Sequence, residues 1–171
     1  MPTRILLAED DPIQRMELSS MLTEQGYLVV GAVADGQSAI DLAQALHPDL
    51  VLMDIRLPER DGISAATILR QEHIAPVILL SAFSGPWFIE GAKNAGALNY
   101  LVKPLRESEL RPAIEVALAR DRDRRIQEEQ IQILDTQIEA RKRAEREKGL
   151  RMEKLRMDEE REKRRLDDEN R

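Results

Sequence analysis

Five short apolar runs punctuate the first two thirds of the chain, at residues 5–8, 27–33, 50–53, 77–80 and 98–102. Each is strand-sized, and within each the apolar positions are continuous rather than alternating. Continuous apolarity means that both faces of the sheet are covered, which is the condition of a parallel sheet between two helix layers. Between the runs lie segments with helical spacing. Ile13, Met16, Leu18, Met21 and Leu22 mark one over residues 13–25, and Ile40, Leu42, Ala43 and Leu46 mark another over 37–46. Strand and helix alternate five times, and parallel neighbours require right-handed crossovers. The pattern predicts an α/β fold, a doubly wound five-stranded parallel sheet whose ligands bind beyond the carboxyl ends of the strands.

After Pro112 the pattern changes. All eight prolines lie between Pro2 and Pro112, every aromatic residue precedes Leu101, and Gly149 is the one glycine beyond Lys103. Arg, Glu, Lys, Gln, Leu and Ala dominate the remainder of the chain, which predicts a long helical extension. Ser108 is the expected cap, with Pro112 tolerated in the first turn. The composition breaks near Arg120, so the expected division is a compact domain over 1–119 and a charged extension over 120–171. At 1.5 Å per residue, 52 helical residues would span roughly 78 Å. Ile126, Ile133 and Ala140 are seven apart, and Ile131, Leu134 and Ile138 follow 3-4 spacing, enough for about two or three heptads of coiled coil and hence a dimer. Further on, Glu139 with Arg143, Glu147 with Arg151, Glu159 with Lys163 and Glu160 with Arg164 could sustain a solvated helix. A frayed tail is the competing reading.

Charge and composition narrow the chemistry. The chain carries 26 Lys plus Arg against 32 Asp plus Glu, a net charge of −6, which argues against a whole-protein electrostatic grip on nucleic acid. Residues 1–119 hold 9 basic and 16 acidic side chains, while 120–171 hold 17 and 16. With no cysteine, Cys-based metal sites and thiol nucleophiles are excluded; with only His47 and His73, a histidine metal cluster is not expected. Both histidines read as surface or capping residues. No apolar run approaches the length that spans a bilayer, and the apolar start is too short for a secretory signal, so the expected address is cytoplasmic.

The informative polar residues sit where strands end. The first run ends in Glu9, Asp10 and Asp11, the third in Asp54, the fourth in Ser81, and Lys103 with Pro104 follows the fifth. In a sheet of order 2-1-3-4-5, the strands that carry these groups surround the central crevice. Carboxylates about 4 Å apart repel by roughly 4 kcal/mol per ionised pair at an effective dielectric near 20. A hard divalent cation would relieve that, and oxygen ligands at an open site suit Mg²⁺. An aspartate beside such an ion, with an ammonium and a hydroxyl near it, is equipped for phosphoryl transfer, with Asp54 attacking phosphorus.

The ordered set AEDD, VLMDIRLPERDG, LLSAF and GALNYLVKP resembles the receiver domain of bacterial two-component response regulators, over about residues 3–119. The resemblance implies a flavodoxin-like fold of strand order 2-1-3-4-5 and a phosphoacceptor signalling protein rather than a turnover enzyme, with limited self-catalysed phosphorylation and dephosphorylation. It implies a sensor histidine kinase as phosphoryl source, Asp54 as acceptor, and Glu9 and Asp10 as the acidic pair for Mg²⁺. The backbone carbonyl of Arg56 would be a further ligand beside Asp54. Lys103 would contact the phosphoryl group, Ser81 would be the switch hydroxyl with small Ala82 after it, and Tyr100 would be the switch aromatic. Arg56 and Phe83 would tune the lifetime of the acyl phosphate. The faces implied to change are those of the fourth helix, fifth strand and fifth helix, and through them the pairing of two C-terminal helices.

Other positions have plainer readings. Asp11 is the expected N-cap of the segment opening at Pro12, and Asp35 and Asp61, each before glycine, are expected turn residues. Trp87 and Phe88 follow the Gly85-Pro86 turn as core residues, with Trp87 a candidate reporter of the crevice. Residues 139–153, EARKRAEREKGLRME, are similar to the opening helix of the RNA-binding output domain called ANTAR, matching at Ala140, Arg141, Lys142, Glu145, Lys148, Gly149, Leu150 and Met152. Residues 157–171 lack the apolar and aromatic positions of that domain's later helices. RNA-binding antitermination therefore stands as the alternative output, and a phosphorylation-independent interaction module as another. A haloacid-dehalogenase-like phosphatase would want a second carboxylate two residues after Asp54, where this chain has Arg56.

Overall fold

A computed structural model describes residues 1–82, 85–97 and 99–170, with the side chain of Phe88 outside that description. Expectations for Phe83, for Leu98 as the start of the fifth run and for the Phe88 side chain therefore lie outside the described residues. The chain divides into two compact units, Met1–Asp123 and Arg124–Arg171.

Along the chain, β1 (Arg4–Ala8), β2 (Leu28–Val33), β3 (Leu50–Asp54), β4 (Val77–Ser81) and β5 (Asn99–Val102) alternate with α1 (Pro12–Glu24), α2 (Gly36–Leu46), α3 (Gly62–Gln71), α4 (Pro86–Asn94) and α5 (Glu107–Glu169), of which only the part up to Asp123 belongs to the first unit. All pairings are parallel, in the order β2-β1-β3-β4-β5. Strand pleating sends successive side chains to opposite faces. Ile5, Leu7, Leu50, Leu52, Ile78 and Leu80 pack with Leu18 and Leu22 of α1 and with Leu110, Ile114 and Ala117 of α5. Leu6, Ala8, Val51, Met53, Val77 and Leu79 pack on the other face with Ala39, Ile40 and Ala43 of α2, with Ala65, Ala66 and Leu69 of α3, and with Ala92 of α4. Two covered faces explain the continuous apolar runs. The expected α/β, doubly wound, flavodoxin-like sheet is what the chain forms.

Several local expectations are corrected. In α1, Leu18 and Leu22 are buried, but Ile13 and Met16 are 70% and 71% exposed, so the apolar face of that helix is narrower than its composition. Asp35 and Asp61 are not turn residues alone. They are the N-caps of α2 and α3, accepting from the Ser38 and Ser64 amides at 2.7 and 2.9 Å. His47, by contrast, is the capping residue expected: the left-handed C-cap of α2, with φ 46°, whose carbonyl accepts from Arg4 Nη1 at 3.0 Å. Ser108 does not cap α5, which already begins at Glu107, and Pro112 lies in the helix interior rather than the first turn. A proline there removes one intrahelical hydrogen bond, which burial of the flanking Leu110, Ala113 and Ile114 helps to offset. On the same helix, exposed Glu115 accepts through Oε1 from the Tyr27 hydroxyl at 2.9 Å. Burial first, and that hydrogen bond second, push the Tyr27 hydroxyl up to about 12.

The second unit is helical throughout its described length. Ile126, Ile131, Ile133, Leu134 and Ile138 are all between 50 and 59% exposed. The ion pairs that close on it differ from those expected. Glu139 turns to Lys142 at 3.8 Å rather than to Arg143, and Arg141 pairs with Glu145 at 3.7 Å, because spacings of three and four compete for the same carboxylate. Both are exposed and contribute little.

Gly62, the first residue of α3, fixes where the third strand ends. A Cβ there would lie 2.1 Å from the Asp54 carbonyl oxygen and 2.8 Å from Ile55 Cα, and the Gly62 amide donates to Ile55 O at 2.7 Å. Both neighbours are backbone and cannot step aside. Gly62→Ala is expected to destabilise the chain by about 1–3 kcal/mol, which urea denaturation measures.

Candidate functional site

Register brings the polar strand ends to one edge of the sheet. Ala8 pairs with Met53, Asp54 with Leu80, and Ser81 with Val102, so Glu9, Asp54, Ser81 and Lys103 follow at neighbouring positions. The Lys103 amide donates to Ser81 O at 2.8 Å, carrying the β4–β5 ladder up to the site. Ser81 is buried and Tyr100 half-buried, the latter packed against the α2–α3 side of the core.

Glu9 is 1% exposed and Asp54 is 7% exposed, while Asp10 is exposed. Each of the three offers a carboxylate oxygen within 4.8 Å of the others. Asp54 Oδ1 accepts from the Arg56 amide at 2.9 Å, which fixes its rotamer. Asp54 Oδ2 faces the ammonium of Lys103 in a hydrogen-bonded ion pair. The same ammonium donates to Glu9 Oε2 at 2.6 Å and to Gln14 Oε1 at 2.7 Å. Arg15 Nη1 donates to the Glu9 carbonyl at 2.8 Å, and the Asp11 amide to Glu9 Oε1 at 3.2 Å. Asp11 stays outside the cluster as the N-cap of α1, accepting from Ile13 and Gln14. Hydrogen bonds from the Gln14 and Ile13 amides hold its carboxyl below the usual range.

Glu9, Asp10, Asp54, Ser81 and Lys103 thus lie at one sheet edge, with Arg56 two residues past the end of β3. Gln14 is the residue that sequence reasoning missed. Its signal was its place three after the Asp11 cap, where a glutamine side chain usually folds back on the helix start. Beside the cluster an open crevice of about 790 Å³ is lined by Asp10, Arg56, Asp61, Ile63, Trp87 and Glu90, among others. Trp87 is 74% exposed there, so it is not a core residue but a wall of the crevice. Three converging carboxylate oxygens match what a hard divalent cation takes.

The electrostatics follow from burial. Desolvation pushes the Glu9 carboxyl up to about 7, and the proximity of Asp54 adds to it; the Lys103 and Asp11 hydrogen bonds pull the other way without cancelling it. For Lys103, burial acts to lower the pKa, but hydrogen bonds to Asp54 and Glu9 overcome it and hold the ammonium above its ordinary value. A carboxyl raised in the folded state gives stability that is complete below its unfolded value near 4.5 and is lost as pH rises through about 7. Wild-type protein in EDTA is therefore expected to lose about 1–3 kcal/mol between pH 5 and 8 relative to Glu9→Gln, which keeps an acceptor for Lys103. Chemical denaturation at both pH values measures the difference, and parallel stabilities would exclude a buried, proton-sensitive Glu9.

Comparison with known proteins matches these features. Residues 5–115 fit the family described as the response regulator receiver domain. The chain is 48% identical over 149 residues to the transcriptional regulatory protein PdtaR of Mycobacterium tuberculosis, covering 87% of this chain and 73% of that protein. A match of that length in a chain of 171 reaches at least to about residue 149, well beyond the receiver. Among solved structures, a LuxR-family two-component response regulator from Aurantimonas sp. SI85-9A1 is similar with a TM-score of 0.66 and 36% identity, over 70% of this chain and 86% of that one. The receiver domain of sensor histidine kinase PA1611 from Pseudomonas aeruginosa PAO1, which holds a magnesium ion in its active site cleft, has a TM-score of 0.63 at 34% identity, over 70% and 99%. An acidic cluster at the carboxyl edge of a 2-1-3-4-5 sheet, bridged by a lysine, and a family match over most of the compact unit lead to one conclusion: this chain belongs to the response regulator receiver domain family and is a signalling protein of two-component systems.

Proposed function

We propose that Asp54 is the phosphoryl acceptor and that a sensor histidine kinase is the donor. The observation that carries this reading is the Lys103 ammonium bridging buried Glu9 and Asp54 beside exposed Asp10. One Asp54 oxygen forms the O–P bond as the P–N bond of the donor phosphohistidine breaks, and the imidazole leaves with that electron pair. The Arg56 amide holds the other face of the carboxylate, and Lys103 turns from Asp54 to a phosphoryl oxygen. Glu9, Asp10, Asp54 and the Arg56 carbonyl are the groups that would hold Mg²⁺, which when bound supplies positive charge against the phosphoryl oxygens. Ser81 at the neighbouring strand end then follows the phosphoryl group, and Tyr100 responds on β5. The chain supplies its own chemistry with small phosphodonors and reverses it slowly by hydrolysis. No helix among the described residues is long and apolar enough to cross a membrane, in keeping with a cytoplasmic partner.

The output is pairing of the C-terminal helix with that of a second copy, through the exposed isoleucines 126, 131, 133 and 138 with Leu134. Phosphorylation alters that pairing through the α4, β5 and α5 faces. A second output is favoured by one observation: the similarity to PdtaR, a transcriptional regulatory protein, extends into the segment that resembles an ANTAR helix. There the tail would contact RNA, and a mobility shift that weakens steeply with salt would mark it.

Labelling with phosphoramidate and Mg²⁺ is expected to add one phosphoryl group to wild type and none to Asp54→Asn, as read by intact mass. An unlabelled wild type removes the phosphoacceptor reading. Light scattering of the full chain with a beryllofluoride phosphoryl mimic is expected to shift the mass towards or away from the dimer. Ile126→Asp with Ile133→Asp should leave a monomer in both states, and an unchanged wild-type mass in both states would remove the helix-pairing output.

A further inference from the structure

The first turn of α1 is built in an unusual way. Asp11 caps it and Gln14 stands at the third helical position, the arrangement in which a glutamine side chain ordinarily returns to the backbone N–H of the cap. Here that N–H is taken by Glu9 Oε1 at 3.2 Å. Gln14 is therefore released from the helix and faces the acidic cluster. Its Nε2 donates to Asp11 Oδ2 at 3.4 Å, which turns its carbonyl oxygen to the Lys103 ammonium at 2.7 Å. An ammonium has three donors and no acceptor. Those of Lys103 go to Glu9, Asp54 and Gln14, two carboxyl groups and one carboxamide.

We propose that Gln14 is a positioning residue for phosphoryl transfer: its side-chain carbonyl is the neutral third anchor that aims Lys103 at the Asp54 phosphoryl group. The inference rests on the assignment of Asp54 as acceptor. The neutrality has a chemical consequence. When a phosphoryl oxygen replaces Asp54 Oδ2 as the acceptor of one Lys103 hydrogen, Gln14 keeps the second in place without drawing on the ammonium's charge. A carboxylate at position 14 would compete with the phosphoryl group for that charge and add a fourth acid to the entry of an anionic donor. The groove on that side, about 400 Å³ and lined by Gln14, Lys103, Ala82 and Pro104 among others, leaves room for either side chain.

The test uses the full chain, phosphoramidate and saturating Mg²⁺. Gln14→Met, similar in length but without an acceptor, is expected to slow labelling by about ten- to hundredfold, the size of one lost hydrogen bond to a charged group. Gln14→Glu is expected to slow it also, although it keeps an oxygen in place. The Mg²⁺ concentration for half-saturation, read by Trp87 fluorescence, should stay within about twofold of wild type for Gln14→Met, because the cluster's carboxylates are untouched. In a Lys103→Met background, Gln14→Met should have no further effect, since the residue acts only through the ammonium. Should Gln14→Met prove unstable, Gln14→Ala in the same two backgrounds gives the same comparison. Equal labelling by wild type and Gln14→Met, an equal loss with and without Lys103, or a parallel loss of Mg²⁺ affinity each overturns the inference. A wild type that does not label fails at Asp54 instead, and the two failures are thereby distinct.

Discussion

Two carboxylates, Glu9 and Asp54, are buried at one edge of the sheet and share a single ammonium. Carboxylates at this range repel by roughly 4 kcal/mol per pair at an effective dielectric of 20, and each also loses hydration on burial. The chain relieves this in two ways that its own atoms provide: Lys103 is placed between them, and Glu9 is made easy to protonate near neutral pH. A divalent cation at Glu9, Asp10 and Asp54 is a third way. These reliefs are linked, because each proton or cation that enters changes what the others are worth. A cluster balanced in this manner would respond to any further charge brought beside it, since that charge must be met by the same few donors.

The fold exists to hold that balance in register. Parallel pairing places Glu9, Asp54, Ser81 and Lys103 at consecutive points along one edge, and buried residues on both faces fix each strand against sliding. A slip of one residue would exchange the two faces and take Asp54 out of the site. The helix starts behind the edge are fixed by aspartate caps at residues 11, 35 and 61 and by glycines 36 and 62, where a Cβ would collide with backbone. In this way Asp11, Asp35 and Asp61 are structural acids, distinct from the three that converge at the strand ends.

The sheet was legible because continuous apolar runs have few alternatives, and all five strands begin or end within one residue of their runs. The acidic cluster was legible because strand ends in a doubly wound sheet converge. What failed was local. Ile13 and Met16 share helical spacing with the core residues of α1, and composition alone cannot say that the buried stripe stops at Leu18 and Leu22. Asp35 and Asp61 before glycine fit a turn as well as a cap, and only the helix after each decides. Ser108 and Pro112 carry the local signals of a helix start, but packing of Leu110 and Ile114 around the proline lets α5 begin earlier, at Glu107. Gln14 escaped notice because its role depends on Glu9 having already claimed the cap's N–H, a relation between three residues that no single spacing reveals.

Within the first unit, the site and the start of α5 are mechanically close. Lys103 is held at its backbone by Ser81 and at its ammonium by Glu9, Asp54 and Gln14, and four residues later α5 begins. Gln25 Nε2 donates to the Glu107 carbonyl at 2.8 Å, and Tyr27 to Glu115, so the first turns of α5 are tied to the end of α1 and to the residues before β2. A reorientation of Lys103 therefore acts on a segment anchored on both sides rather than on a free loop. Small shifts are amplified into discrete arrangements where the element that receives them is packed and anchored rather than freely deformable, and these two hydrogen bonds supply such anchors.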